Sequence, residues 1–121
     1  AFGGYEIGTS GSGSSGPRTV AVVPATPSGV GAKVLKEDDK GEIRLADVQS
    51  LPQNRVLEAW VRRDGEVEPV KALFVPNGEG EASTTLGDLH GVDLVMVTTE
   101  PSGGSRAPTS APLVEVPIKQ S

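Results

Sequence analysis

The chain has 121 residues, enough for one domain with a single core. It has no cysteine, which excludes disulfides, zinc–thiolate sites and thiol redox chemistry within it. Its net charge is −5 with only eleven Lys and Arg, scattered apart from the Arg62-Arg63 doublet, a pattern that argues against a nucleic-acid partner.

Residues 1–18 read as a stalk or linker. Thr9 to Gly16 is a Gly/Ser tract of the flexible type. Within it Gly11 to Gly16 matches G-x-G-x-x-G, but no strand precedes it and no helical pattern follows, so no dinucleotide site is expected. Phe2, Tyr5 and Ile7 suit an engineered remnant, a tail that docks as a strand, or the wet end of a membrane helix. No apolar run in the chain approaches the ~20 residues that a membrane helix needs.

From Thr19 the pattern is β, and residues 19–121 are expected to form one domain. Thr19 to Val23 is a β-branched run stopped by Pro24, followed by a turn region over Ala25 to Gly31. Ala32 to Leu35 and Glu42 to Leu45 predict a hairpin whose tip is the charged run Lys36 to Gly41. Asp47 to Leu51 allows one helical turn at most. Arg55 to Arg63 is the next strand, with Val56, Glu58 and Trp60 on one face and Leu57, Ala59 and Val61 on the other. Asp64-Gly65 signals a tight turn into Val67 to Val75, where Pro69 marks an edge or a bulge. Glu81 to Leu86 and Val92 to Glu100 follow, and Pro112 to Val116 returns. About eight short strands with regular turn signals predict an all-β antiparallel β-sandwich, immunoglobulin-like or of a related type.

Catalytic patterns are missing. There is no G-x-S-x-G elbow, and His90 stands alone in a turn without a nucleophile or an orienting acid. Glu37, Asp38, Asp39 and Glu42 lack the spacing of a calcium loop and read as a solvated hairpin tip. Asp93 and Glu100 lie at opposite ends of one strand, too far apart for a carboxylate pair. No enzyme activity, cofactor or metal site is expected. Trp60 has two readings: the centre of an aromatic-poor core, or an exposed platform for a sugar or a partner.

The segment after Val97 is a constrained loop. Pro101 fixes its own φ, Gly103 and Gly104 accept positive φ, and Pro108 pushes Ala107 toward extended geometry. It serves either as a recognition surface or as a structural loop in which Glu100 accepts hydrogen bonds from loop amides.

Leu51-Pro52, then the Trp60 strand, then Ala72-Leu73-Phe74, then Thr98 to Thr109 occur in an order that resembles the C-terminal domain of anti-sigma-K-type factors, over about residues 30–117. The closing signature of that family is T-x-E-P-x-G-G-x-x-x-P-T. Trp60, Glu100, Pro101, Gly103, Gly104, Pro108 and Thr109 match it, while Leu57 stands where the family usually has Tyr. The resemblance implies an extracytoplasmic regulatory domain of a single-pass membrane protein, with residues 1–18 as the juxtamembrane stalk. It implies site-1-type and intramembrane proteases as partners. It also implies a sigma factor, bound through an N-terminal segment absent from this chain. The alternative reading is a cell-surface module that binds carbohydrate or peptide through Trp60 or a sheet edge.

Overall fold

The computed structural model describes residues 18–23 and 29–119. The stalk expectation, Arg18 apart, and the turn at 24–28 lie outside the described residues. Among the described residues eight strands follow one another: β1 (Arg18–Val23), β2 (Gly31–Glu37), β3 (Lys40–Ala46), β4 (Arg55–Arg63), β5 (Glu66–Phe74), β6 (Ala82–Asp88), β7 (Val92–Pro101) and β8 (Val114–Pro117). They build two four-stranded antiparallel sheets, ordered β1-β2-β3-β6 and β5-β4-β7-β8. The chain leaves the first sheet after β3, forms the β4–β5 hairpin in the second, returns for β6 and crosses again for β7. The constant-type immunoglobulin order, A-B-E-D over C-F-G, is a different one.

The inner faces of the two sheets share one apolar core. The first sheet contributes Ala32, Val34, Ile43, Leu45, Ala82 and Leu86. The second contributes Leu57, Ala59, Val61, Val95, Val97 and Val116, among others. These positions alternate along their strands, as a half-buried sheet demands. The core is aliphatic; Phe74 packs only at its margin, and Trp60 is not part of it.

Local chemistry sets the connections. Asp64 and Gly65 take φ of 55° and 80°, the paired positive values of a two-residue hairpin turn. Gly41 has no room for a side chain, because a Cβ there would stand 2.4 Å from Leu89 Cδ1. Leu89 is buried there, and its amide donates to the Asp39 carbonyl at 2.7 Å, which ties the β6–β7 turn to the charged hairpin tip. The helical turn allowed for at 47–51 is not formed. Asp47 takes φ 64°, and the amide of buried Val48 donates instead to Gly80 O at 2.9 Å. A tertiary bond and a buried side chain override the weak local signal.

β5 is both an edge strand and a bulged one. Its register against β4 slips between Glu58 and Trp60, where Lys71 takes φ 69°. The residue before that slip is Pro69, opposite Trp60.

Candidate functional site

Strands β4 and β7 are the middle pair of the second sheet, and both are buried on both faces in their central stretches. Leu57, Ala59 and Val61 point into the sandwich, so Glu58 and Trp60 point outward by the period of the strand. The register sets Glu58 opposite Thr98, Val56 opposite Glu100 and Trp60 opposite Met96. Trp60, Glu58, Thr98 and Glu100 therefore share the outer face of this sheet. Outer faces of sandwiches are ordinarily wet, yet these four are 0–2% exposed.

The 101–113 segment between β7 and β8 fastens onto that face. It starts in a turn in which the Gly104 amide donates to Pro101 O at 2.8 Å, while the Ser102 amide reaches Asn54 O at 2.9 Å. The Ser105 amide then donates to Glu58 Oε1 at 2.8 Å. Farther along, the Thr109 amide donates to Glu100 Oε2 at 3.1 Å, and the Thr109 hydroxyl donates to Glu100 Oε1. The Thr98 hydroxyl donates to Glu100 Oε2 at 2.5 Å and accepts from the Trp60 indole Nε1 at 2.9 Å. Two glutamates of the sheet thus hold two points of the segment, and the indole on the same face is joined to the network through Thr98.

The energetics explain why the site is closed. Burying an indole removes ~150–250 Å² from water, which at ~25 cal/mol/Å² stabilises by about 4–6 kcal/mol. A buried carboxylate costs several kcal/mol unless hydrogen bonds replace its water. None of the ion pairs among the described residues includes Glu58 or Glu100. Neutral donors do this instead, each charge-assisted bond contributing ~1.5–3 kcal/mol. For Glu100 burial alone raises the carboxyl's value. The Thr109 hydroxyl, the Thr98 hydroxyl, the Thr109 amide and the Ser105 hydroxyl outweigh that and hold it below the ordinary carboxylate range.

The glycines fit this closure. Gly103 and Gly104 take φ of 100° and 83°. A Cβ on Gly104 would stand 3.1 Å from Leu73 Cδ2 and 3.3 Å from Glu58 Oε1, so backbone lies directly on the β5 side chain and the carboxylate. Pro101 and Pro108 are exposed and shape the segment through their fixed φ.

The residues expected from sequence fall into two groups. Trp60, Glu100 and Thr109 meet in one network, and Gly104 lies against the neighbouring Glu58; Pro101, Gly103 and Pro108 set the path of the chain. Both readings of Trp60 change. It is wholly buried, but outside the sandwich interior, and no ring face is left for a sugar. Glu58 is the member that sequence reasoning passed over, and Thr98, the first residue of the signature, gains a defined role. The signal for both was alternation: Glu58 and Trp60 are two apart on one strand, as are Thr98 and Glu100 on the next.

The remaining candidates are ordinary surface. The exposed His90 donates its amide to Asp88 Oδ1 at 2.8 Å, closing a turn. Asp39 pairs with Lys36 at 3.6 Å and Glu42 with Arg44 at 3.3 Å on the β2–β3 hairpin. Among the described residues no three His, Cys, Asp or Glu come together as a metal site. An open hollow of about 590 Å³ beside Val75 and Pro76 is lined by Arg44, Asn77 and Glu81, away from the motif.

A buried Trp joined through Thr98 to a loop closed by Glu100 and Thr109 is the arrangement that the signature residues make here. The family model for anti-sigma-K factor rskA, C-terminal, matches residues 9–114. The chain belongs to this family. The match starts before residue 30, where the resemblance first becomes legible in the motifs. Comparison with curated proteins and with solved structures found no match. The anti-sigma-factor signature is therefore, in this chain, a set of residues that fastens a loop to a sheet.

Proposed function

We propose that this chain is the extracytoplasmic regulatory domain of a single-pass bacterial membrane anti-sigma factor. Its folded state governs protease access to the adjoining stalk. Cleavage outside the membrane, followed by cleavage within it, then releases a sigma factor of the extracytoplasmic-function class, held by an N-terminal segment beyond this chain. The domain works as a mechanical cap and not as an enzyme.

One observation carries this reading: the signature residues spend their hydrogen-bonding capacity on one another. Glu100 accepts from Thr98 and Thr109, and Trp60 donates to Thr98, all inside the domain. A catalytic or sugar-binding site would hold such groups open to a ligand. A latch holds them closed. The membership of the anti-sigma-K family supplies the setting.

The test uses the full-length membrane protein in cells with a sigma-dependent reporter. Removing residues 19–121 while keeping the rest is expected to give constitutive cleavage and a constitutively active reporter. A full-length protein that stays intact, with a silent reporter, after that removal overturns the proposal.

A further inference from the structure

The loop latch is physically continuous with the strand that faces the first strand of the domain. After Thr109 meets Glu100, the chain runs back along β7 without a break. The Ser110 hydroxyl donates to Thr99 O at 2.7 Å, and the Leu113 amide to Val97 O at 2.8 Å. Val114 then pairs with Val97, Val116 with Val95 and Pro117 with Leu94, and the Ile118 amide closes on Asp93 O at 3.0 Å. From Glu100 to Asp93 this is one zip, and its first tooth is the buried carboxylate.

β8 has four residues and, among the described residues, a ladder on one side. Its inward side chains, Val114 and Val116, are 2% and 0% exposed. Across the sandwich β8 packs against β1 and β2. Among the described residues β1 is likewise an edge strand, laddered to β2 alone, with a break in register between Thr19 and Ala21. Ala21 packs half-buried against the common core. Two one-sided strands thus close the same side of the sandwich and support each other there. Short edge strands of this kind are the segments that open locally at the lowest free energy.

We propose that the Glu100 latch, acting through β8, holds β1 in its sheet, so that opening the latch releases β1 as extended chain at the N-terminal side of the domain. β1 starts at Arg18, paired with Lys36 beside the charged hairpin tip. Its six residues, once freed, add roughly 20 Å of extended chain. Proteases act on such freed chain in proportion to how often it opens. The biological meaning rests on the proteolytic reading above; the seam itself does not.

Hydrogen exchange followed by mass spectrometry on the purified chain reads the seam without any protease partner. Two variants are compared with the parent: Glu100→Gln, which weakens the first tooth, and Val116→Ala, which loosens β8 with the loop intact. In both, amides of 18–23 are expected to exchange faster by about tenfold together with those of 109–118, while β3 and β4 keep their rates. Faster exchange at 109–118 with 18–23 unchanged overturns the proposal. An equal rise in β3 and β4 also overturns it, because the latch would then hold the whole sandwich and not this seam. Should Glu100→Gln fail to fold, Val116→Ala alone decides. A cell in which full-length protein escapes cleavage defeats the functional reading and leaves this result standing.

Discussion

The Trp60 indole and the Thr98 hydroxyl meet at 2.9 Å across β4 and β7, 38 residues apart in sequence. Thr98 is at once the acceptor for the indole and a donor to Glu100. One hydroxyl therefore couples the burial of the only tryptophan to the charge that holds the loop.

Replacing Thr98 with Val keeps the shape and removes both bonds. The buried indole N–H loses its acceptor and Glu100 loses a donor, so a destabilisation of about 2–4 kcal/mol is expected. Thr98→Ser keeps the hydroxyl and is expected to cost less than about 1.5 kcal/mol. Urea midpoints of the two variants give the comparison; equal losses would show that the hydroxyl contributes nothing.

The Trp60 fluorescence of the native chain is expected to be blue-shifted and resistant to acrylamide, since the indole is 0% exposed. Glu100→Ala is expected to shift it red at temperatures where far-ultraviolet circular dichroism still reports intact strands. A red-shifted, readily quenched signal in the native chain would contradict the closed face.

Acid sensitivity has a definite sign. The folded Glu100 carboxyl is held below its ordinary value of 4.5. Its contribution to stability is whole above that value and is lost as pH falls through the lower folded one. The parent chain is expected to lose stability below about pH 4.5, and Glu100→Gln to show a shallower decline over that window. Parallel pH profiles for the two chains would remove Glu100 from the account.

The paired glycines separate backbone strain from crowding. Gly103 has φ 100° and nothing within 4 Å of a Cβ, so Gly103→Ala meets only strain, about 1 kcal/mol. Gly104 has φ 83° and meets Leu73 at 3.1 Å and Glu58 at 3.3 Å. Gly104→Ala is therefore expected to cost more, about 2–3 kcal/mol, and to be partly relieved by Leu73→Ala. Equal thermal shifts for the two glycine variants would place no weight on that contact.

Strand positions were legible because short apolar or alternating runs are bounded by turn chemistry. Asp64-Gly65 marked its hairpin, and Pro69 marked both the edge and the bulge that β5 turns out to have. The acceptance of a loop amide by Glu100 was legible too, from an acid placed beside glycines and prolines. What escaped was the face on which Trp60 is buried. Alternation along β4 shows that Trp60 and Leu57 point to opposite sides, but not that a segment forty residues later bonds to Glu58 and Glu100 on the Trp60 side. The role of Glu58 depends on the same long-range closure, since its partner is the Ser105 amide. The helical turn at 47–51 failed for a related reason, a bond between Val48 and Gly80 that no local pattern announces.

The irregularity of β5 has a bearing on how copies of this protein live side by side. Pro69 offers no amide hydrogen to a neighbour, and Lys71, with φ 69°, bends the strand out of line and carries a charge there. A second copy meeting this edge therefore finds no straight, unsaturated margin at β5 along which to add a strand.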